Sequence, residues 1–379
     1  MFFILLMDKY SACSKNIFNY LYSLFEVKFK AVNVSHIRFV SFLESNLATT
    51  FENTLVIGIS ATALFDLSDA DKLFREEVAK DPQNGVEIYK QHMLENEEKP
   101  LDEGVGFPLV KALLSLNSYQ GKEQKTLVEV VVMSRNSPET GMRVLNAIRT
   151  HKLNITRSAF TAGESGADYL EAFEVDLFLT TNESDAQMVI DSGSCSSAVL
   201  SIPPTYRCEI PDGQVRIAFD GDAVIFDETS ELVYKNKGMD AFHEHENIAQ
   251  NTPMNEGPFA KFLIKLAKLQ ERLPMSVELS PVRIAIVTAR NSPSEMRVIK
   301  TLRSWGVYVD EAFFLGGVEK SNILKAFRAH IFFDDQDVHL EHSSLVVPCG
   351  KVLYRTDSLL NKLKTTQNSQ SKKTSKAET

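Results

Sequence analysis

VRIAFDGDAVIFDE, Val215 to Glu228, is a β-branched and aromatic run that ends in two acids one residue apart, Asp220 and Asp222. A second stretch, LVIGISATALFDLSD from Leu55 to Asp69, has the same outline but carries Ser60 and Thr62 where the acids would fall. The correspondence continues along the chain. VVVMSRNSPETGMRVLNAIRTHKLNITRSAF (Val130–Phe160) matches IAIVTARNSPSEMRVIKTLRSWGVYVDEAFF (Ile284–Phe314), with RNSP identical at Arg135–Pro138 and Arg290–Pro293. EAFEVDLFLTTNESD (Glu171–Asp185) matches KAFRAHIFFDDQDVH (Lys325–His339). Ser60 falls on Asp220, Arg135 on Arg290 and Thr180 on Asp334, at offsets of 160, 155 and 154 residues. An offset this constant points to a duplicated unit of about 150 residues.

Each copy reads as a short strand, a polar and mostly helical insertion, then strands alternating with helices. In the second copy the insertion ends in FAKFLIKLAKLQERL, whose Phe259, Phe262, Leu263, Leu266 and Leu269 recur at helical spacing. A proline in RNSP suits the first turn of the helix that follows. Such alternation predicts a parallel sheet with helices on both faces. The expected fold class is therefore α/β, two tandem Rossmann-like lobes, each with a helical insertion. The expected boundaries are an N-terminal extension at 1–50, a first copy at 51–205, a second at 206–355 with its insertion at about 228–281, and a disordered polar tail at 356–379.

Composition narrows the function. The 379 residues are 44% hydrophobic and 24% charged, an ordinary globular balance. A formal net charge of -9 argues against a nucleic-acid partner. Cys13, Cys195, Cys208 and Cys349 are scattered without metal-ligand spacing, which suits a reduced, intracellular protein. The opening MFFILLMDKYSACSK is too short in its apolar run to span a bilayer and has no basic residue ahead of it, so neither a membrane span nor a cleaved signal is expected.

Ligands of parallel α/β sheets bind at the carboxyl ends of the strands, and there the second copy concentrates its polar residues. Asp220 and Asp222 follow VRIAF, Thr288 follows IAIV, Lys320 follows LGGVE, and Asp334 and Asp335 follow HIFF. Four converging carboxylates repel one another unless a cation or proton intervenes. An oxygen-only set suits Mg²⁺, which keeps waters and favours phosphate oxygens. Lys320 and Thr288 offer a positive charge and a donor to a phosphate. Gly221 permits a tight turn that brings backbone amides to an anion. One aspartate as nucleophile and another as acid/base would support phosphoryl transfer through an aspartyl-phosphate.

DGDAV, Thr288 at a strand end, Lys320 and the FFDD pair together resemble the haloacid dehalogenase-like phosphohydrolases. Longer phrases (RIAFDGDAVIF, FHEHE, EGP, VTAR, TLRSWG, DEAFFLGG, HIFFDDQ) resemble the cytosolic 5′-nucleotidase I family over about residues 52 to 348. The resemblance implies Asp220 as nucleophile, Asp222 as acid then base, and Thr288 and Lys320 as phosphate holders. It implies Mg²⁺ between Asp220, the main-chain carbonyl of Asp222 and Asp334, with Asp335 close by. The implied substrate is a nucleoside 5′-monophosphate, AMP foremost, in a cytoplasmic enzyme. The insertion falls where such enzymes carry a cap, and Phe242, His243, Glu244 and Asn247 are its candidate contacts to base or ribose. Gly221, Ala289 and Arg290 are grouped with them as substrate-binding. His243 and His245 lie in a charged run and are not read as a metal pair.

The first copy has Ser60, Thr62, Met133, Thr180 and Thr181 at the positions of Asp220, Asp222, Thr288, Asp334 and Asp335, and so is expected to be catalytically silent. Ser60, Thr62, Ser134, Arg135 and Thr181 still offer hydroxyls and a guanidinium, and the resemblance implies a nucleotide effector such as ADP as their ligand. Self-association into a homo-oligomer is compatible with this reading. The competing readings are a phosphatase of another small phosphate ester and a nucleotide-binding regulator without catalysis.

Overall fold

The computed structural model describes residues 51–364, apart from 52, 122–125, 202–212 and 275–279. The expected N-terminal extension, Cys13, Cys208 and residues 365–379 lie outside the described residues. Cys195 and Cys349 are free thiols.

The strands form where runs of buried β-branched and aromatic residues occur. They are β1 (Leu55–Ser60), β2 (Val128–Ser134), β3 (Arg157–Phe160), β4 (Leu177–Thr180), β5 (Ser196–Leu200), β6 (Val215–Phe219), β7 (Val282–Thr288), β8 (Glu311–Phe314), β9 (Ile331–Asp334) and β10 (Cys349–Lys351). β1 and β2 are buried along nearly their whole length, as expected for strands covered on both faces. All ten belong to one sheet, in the order β3-β2-β1-β4-β5-β10-β9-β6-β7-β8. Neighbouring strands run parallel except β5 and β10, which pair antiparallel through Gly350–Leu200 and Lys351–Val199. The sheet is thus continuous, a feature that the reading of two tandem parallel-sheet lobes did not specify. Outward from the β5–β10 seam each half repeats one order, β5-β4-β1-β2-β3 and β10-β9-β6-β7-β8.

Two helices of the first insertion are α1 (Ser68–Lys80) and α2 (Pro82–Glu95). Asp81 caps α2 by accepting from the amides of Gln83 and Asn84, ahead of a proline at its first position. Phe74 and Tyr89 meet edge to face between the two helices, with ring centroids 5.2 Å apart. α3 (Phe107–Ser115) follows, then α4 (Met142–Thr150) and α5 (Glu183–Ser192). The second insertion supplies α6 (Thr229–Lys237), α7 (Met239–Ile248) and α8 (Ala260–Gln270). α8 buries Phe262, Leu263, Leu266 and Leu269, the face its spacing predicts. α9 (Glu295–Ser304), α10 (Lys320–Phe327) and α11 (Asp337–Ser343) complete the second half. α9 begins two residues beyond Pro293, so RNSP is a turn before the helix and not its first turn.

Both insertions return to the sheet in the same way. Phe65 bridges Glu103 in the first half and Phe226 bridges Glu256 in the second. At Gly257 a β-carbon would lie 2.3 Å from the Phe226 carbonyl oxygen, so only glycine permits the crossing. Each insertion also reaches the asparagine of its own RNSP. The Tyr89 hydroxyl donates to Asn136 Oδ1 at 2.7 Å, and His243 Nε2 lies 3.0 Å from Asn291 Oδ1.

Residues 356–364, expected to open a disordered tail, are packed on the fold. Thr356 bonds Asp191, the Leu359 amide donates to Glu228, and Lys364 pairs with Asp337. Phe219, Phe259, Phe262 and Phe333 gather under the second half's strand ends, Phe259 and Phe333 with centroids 4.7 Å apart. Among the described residues, no helix is long and apolar enough to cross a membrane.

His330, just before β9, accepts the Arg216 amide on Nδ1 at 3.1 Å. Burial, aided by the Arg216 charge, pushes its imidazolium pKa down to about 4. The folded value lies below the unfolded value of about 6.5, so stability present above that pH is lost as the pH falls toward 4. At pH 5 the loss is about 2 kcal/mol. His330→Asn keeps an acceptor and should remove this share. Urea titrations at pH 7 and pH 5 should show a smaller acid loss for the variant than for the wild type, and equal losses would contradict the assignment.

Candidate active site

β6 delivers Asp220 at its end, where the Asp220 amide donates to the Phe333 carbonyl of the neighbouring β9 at 2.8 Å. Residues Gly221–Ile225 then turn sharply, with Ala223 at φ 59. A β-carbon on Gly221 would stand 3.3 Å from Thr288 Oγ1, so glycine lets the turn approach the end of β7 closely. Lys320, the first residue of α10, donates to Asp220 Oδ1 and to Asp334 Oδ2, both at 2.7 Å. Asp334 Oδ2 also meets His339 Nδ1 at 3.2 Å, and its Oδ1 accepts the Gln336 amide at 2.8 Å. Asp335 accepts from the Tyr354 hydroxyl on Oδ2, while its Oδ1 is buried without a hydrogen-bond partner.

Asp220, Lys320, Asp334 and Asp335 are all buried. Burial, reinforced by Asp334 and Asp222, drives the Asp220 carboxyl up to about 6 against the pull of Lys320. Asp335 is raised well above the usual carboxylate range by burial and by its two acidic neighbours. Burial pushes Asp334 the same way, but the Lys320 ammonium and His339 outweigh it and hold it low. Burial also works against the Lys320 charge, and Asp220 and Asp334 overcome it and hold Lys320 raised.

These residues fit a hard divalent cation. Asp220, Asp334 and Asp335 can each offer an oxygen within 4.8 Å of the others. The partnerless Asp335 Oδ1 and the raised Asp220 are what a buried acid trio with a single lysine counter-charge should show. The Asp222 carboxylate, two residues on, does not belong to this trio.

Asp222 belongs to a second buried cluster. Arg290 grips it with both arms, Nε to Oδ2 at 2.8 Å and Nη2 to Oδ1 at 2.6 Å. Arg290 Nη1 donates to Glu246 Oε2 at 2.6 Å, and Arg297 Nη1 donates to Glu246 Oε1 at 2.9 Å. The Phe242 ring centroid lies 5.3 Å from the Arg290 guanidinium. Burial raises Glu246 but the two arginines prevail and keep it low, and burial opposes the Arg290 charge while Asp222 and Glu246 hold it raised. Thr288 Oγ1 accepts the Arg290 amide at 3.3 Å.

The residues named from sequence therefore separate. Asp220, Lys320, Asp334 and Asp335 form one cluster, and Asp222, Gly221, Thr288 and Arg290 adjoin it. Ala289 is exposed beside Thr288. On α7, Phe242 is buried against Arg290 and His243 meets Asn291, whereas Glu244 and Asn247 are exposed. Glu246, Arg297, His339 and Tyr354 were not singled out in the sequence. Phe242 and Glu246 are four residues apart on one helix, a spacing that places them on one face. Tyr354 carries no such signal.

In the first half, Ser60 Oγ lies 3.1 Å from Thr62 Oγ1, which lies 2.6 Å from Thr181 Oγ1. Ser134 is buried and accepts the Asn136 amide. Arg135 is paired with both oxygens of Asp185 and donates to the Gly163 carbonyl at 3.0 Å. Ser60, Thr180 and Thr181 stand at the positions of the acid trio, Ser60 and Thr181 joined through Thr62 and Thr180 accepting the Asn182 amide.

Acids bridged by a buried lysine at the ends of parallel strands, beside a threonine, give an α/β site with the groups that a phosphate and a divalent cation require. Comparison with known proteins agrees. A family model described as 5′-nucleotidase matches residues 47–359. A human protein described as cytosolic 5′-nucleotidase 1B is 35% identical over 297 residues, which cover 76% of this chain and 47% of the relative. The chain belongs to the 5′-nucleotidase family, as the sequence resemblance anticipates, and spans about half the length of that curated relative.

Proposed function

We propose that this chain hydrolyses nucleoside 5′-monophosphates, AMP favoured, to nucleoside and phosphate through an aspartyl-phosphate on Asp220. The observation that carries the reading is the buried Asp220–Lys320–Asp334 bridge with the unpartnered Oδ1 of Asp335 beside it. The likeness to the human protein described as a cytosolic 5′-nucleotidase supports the substrate class and a cytoplasmic setting.

Asp220 attacks phosphorus, an oxygen–phosphorus bond forms, and the bond to the ribose O5′ breaks as Asp222 gives that oxygen a proton. Asp222 then takes a proton from water, which attacks the phosphoryl group and returns Asp220 as a carboxylate. Thr288 and Lys320 hold phosphate oxygens, and Lys320 offsets the charge of Asp220. Mg²⁺ held by Asp220, Asp334 and the main-chain carbonyl of Asp222, with Asp335 adjacent, would neutralise phosphoryl charge when bound.

We read the repeated strand order as a duplication in which 51–205 is a silent copy and 206–355 the catalytic one. The same return bridge and the same insertion-to-asparagine contact in each half support it. ADP held by Ser60, Thr62, Ser134, Arg135 and Thr181 would require Arg135 to leave Asp185. Titration calorimetry with ADP on the wild type and Arg135→Ala tests it, and unchanged binding removes the idea.

Phosphate release from a panel of nucleoside and sugar monophosphates tests the main reading. The expected result is preference for AMP, loss to background with a chelator and recovery on adding Mg²⁺. Turnover that survives chelation, or equal rates on sugar phosphates, would contradict it.

A further inference from the structure

The geometry points to Arg290 as the positioning residue for Asp222, anchored in turn by Glu246 and Arg297, so that helix α7 of the insertion sets the aim of the acid/base. The inference rests on the reading of Asp222 as the proton donor to the leaving oxygen.

Four charged side chains from four separate segments form a continuous chain, each paired with the next: Asp222 from the turn after β6, Arg290 from the loop after β7, Glu246 from α7 and Arg297 from α9. All four are buried, Glu246 completely and Arg290 to within 3%. Two positive and two negative groups balance. The free valences are also filled: Glu246 Oε1 accepts from Ser230 Oγ at 2.8 Å and meets His245 Nδ1 at 3.1 Å, and Arg297 Nε donates to the Thr252 carbonyl at 2.9 Å. Buried ion pairs persist when geometry and hydrogen bonds satisfy every member, and losing one member strands the others. A bidentate guanidinium fixes both oxygens and the plane of the carboxylate it holds, which a single ammonium cannot do.

The first half of the chain supplies the comparison. There an insertion helix also meets the asparagine of RNSP, Tyr89 to Asn136, as His243 meets Asn291. Seating an insertion on the loop thus needs no arginine chain. The first copy has Thr62 at the position of Asp222, and the arginine of the same motif, Arg135, pairs instead with Asp185 on α5. The Arg290–Glu246–Arg297 chain accompanies the acid and not the seating. With its fork on Asp222 and Nη1 on Glu246, Arg290 is also engaged away from the substrate-binding role that the sequence placed on it.

The test separates positioning from phosphate binding and from scaffolding by the leaving group. AMP is compared with 5′-deoxy-5′-thioadenosine 5′-monophosphate, whose bridging sulfur leaves as a thiolate without needing a proton. Values of kcat/KM, which report the phosphoryl-transfer step, are measured on the full chain with Mg²⁺ for Arg290→Ala, Arg290→Lys and Glu246→Gln, with melting temperatures alongside. Arg290→Ala should lose about 100-fold on AMP and less than about 5-fold on the thio analogue, the size of a lost general acid. Arg290→Lys and Glu246→Gln should show the same selectivity at about 10-fold, and they carry the test if the alanine variant does not fold. In an Asp222→Asn background, Arg290→Lys should cost AMP nothing further. Equal falls on both substrates, or additivity with Asp222→Asn, overturn the inference. A wild type inactive on both substrates, or Asp222→Asn falling equally on both, overturns instead the reading on which it rests.

Discussion

Asp220→Asn should abolish nucleotide hydrolysis, by about 10³-fold or more, while the metal-free protein melts at or above the wild-type temperature. Asparagine keeps the shape and still accepts from Lys320 through its amide oxygen, but it cannot attack phosphorus. The stability follows from the environment of the carboxyl group. Burial, with Asp334 and Asp222 nearby, raises its pKa to about 6, above the unfolded value of about 3.9, so the ionised form is disfavoured in the fold at neutral pH. Removing that charge relieves the site, and any stability gained comes with loss of function. Phosphate release and a thermal melt in chelator check both halves. A variant that retains turnover, or that melts well below the wild type, would count against the assignment.

Lys320→Met should act in the opposite direction on stability. Lys320 joins Asp220 and Asp334 at 2.7 Å each, and its loss leaves the buried trio of Asp220, Asp334 and Asp335 without that counter-charge. Stranding buried charges in this way costs about 3–5 kcal/mol. Hydrolysis should fall about 10³-fold, because a preorganised positive charge on the transferring group is lost. Mg²⁺ should restore more melting temperature to this variant than to the wild type, since it replaces the missing charge. Equal melting temperatures of variant and wild type in chelator would show that the lysine does not balance the acids.

The strands and the acid positions were legible in the sequence for one reason. Buried parallel strands read as β-branched runs, and the residues that follow each run sit at the sheet's functional edge, as Asp220, Thr288 and Asp334 do. The joining of both halves into one sheet was not legible. It depends on β5 and β10, the latter only Cys349–Lys351, paired across about 150 residues with no periodic signal. Glu246 was hidden for a different reason. FHEHE looks like a solvated run until two arginines from distant segments, Arg290 and Arg297, close over its second acid. Residues 356–364 have the composition of a tail, yet their backbone and side chains find Asp191, Glu228 and Asp337 on the packed fold.

The most direct test of the central claim is to trap the intermediate. Quenching the enzyme during AMP turnover and reducing with borohydride converts an aspartyl-phosphate to homoserine, which peptide mass spectrometry locates. The account predicts homoserine at position 220, dependent on AMP and Mg²⁺, and none in Asp220→Asn. Homoserine at another position, or active turnover with none at 220, would contradict it.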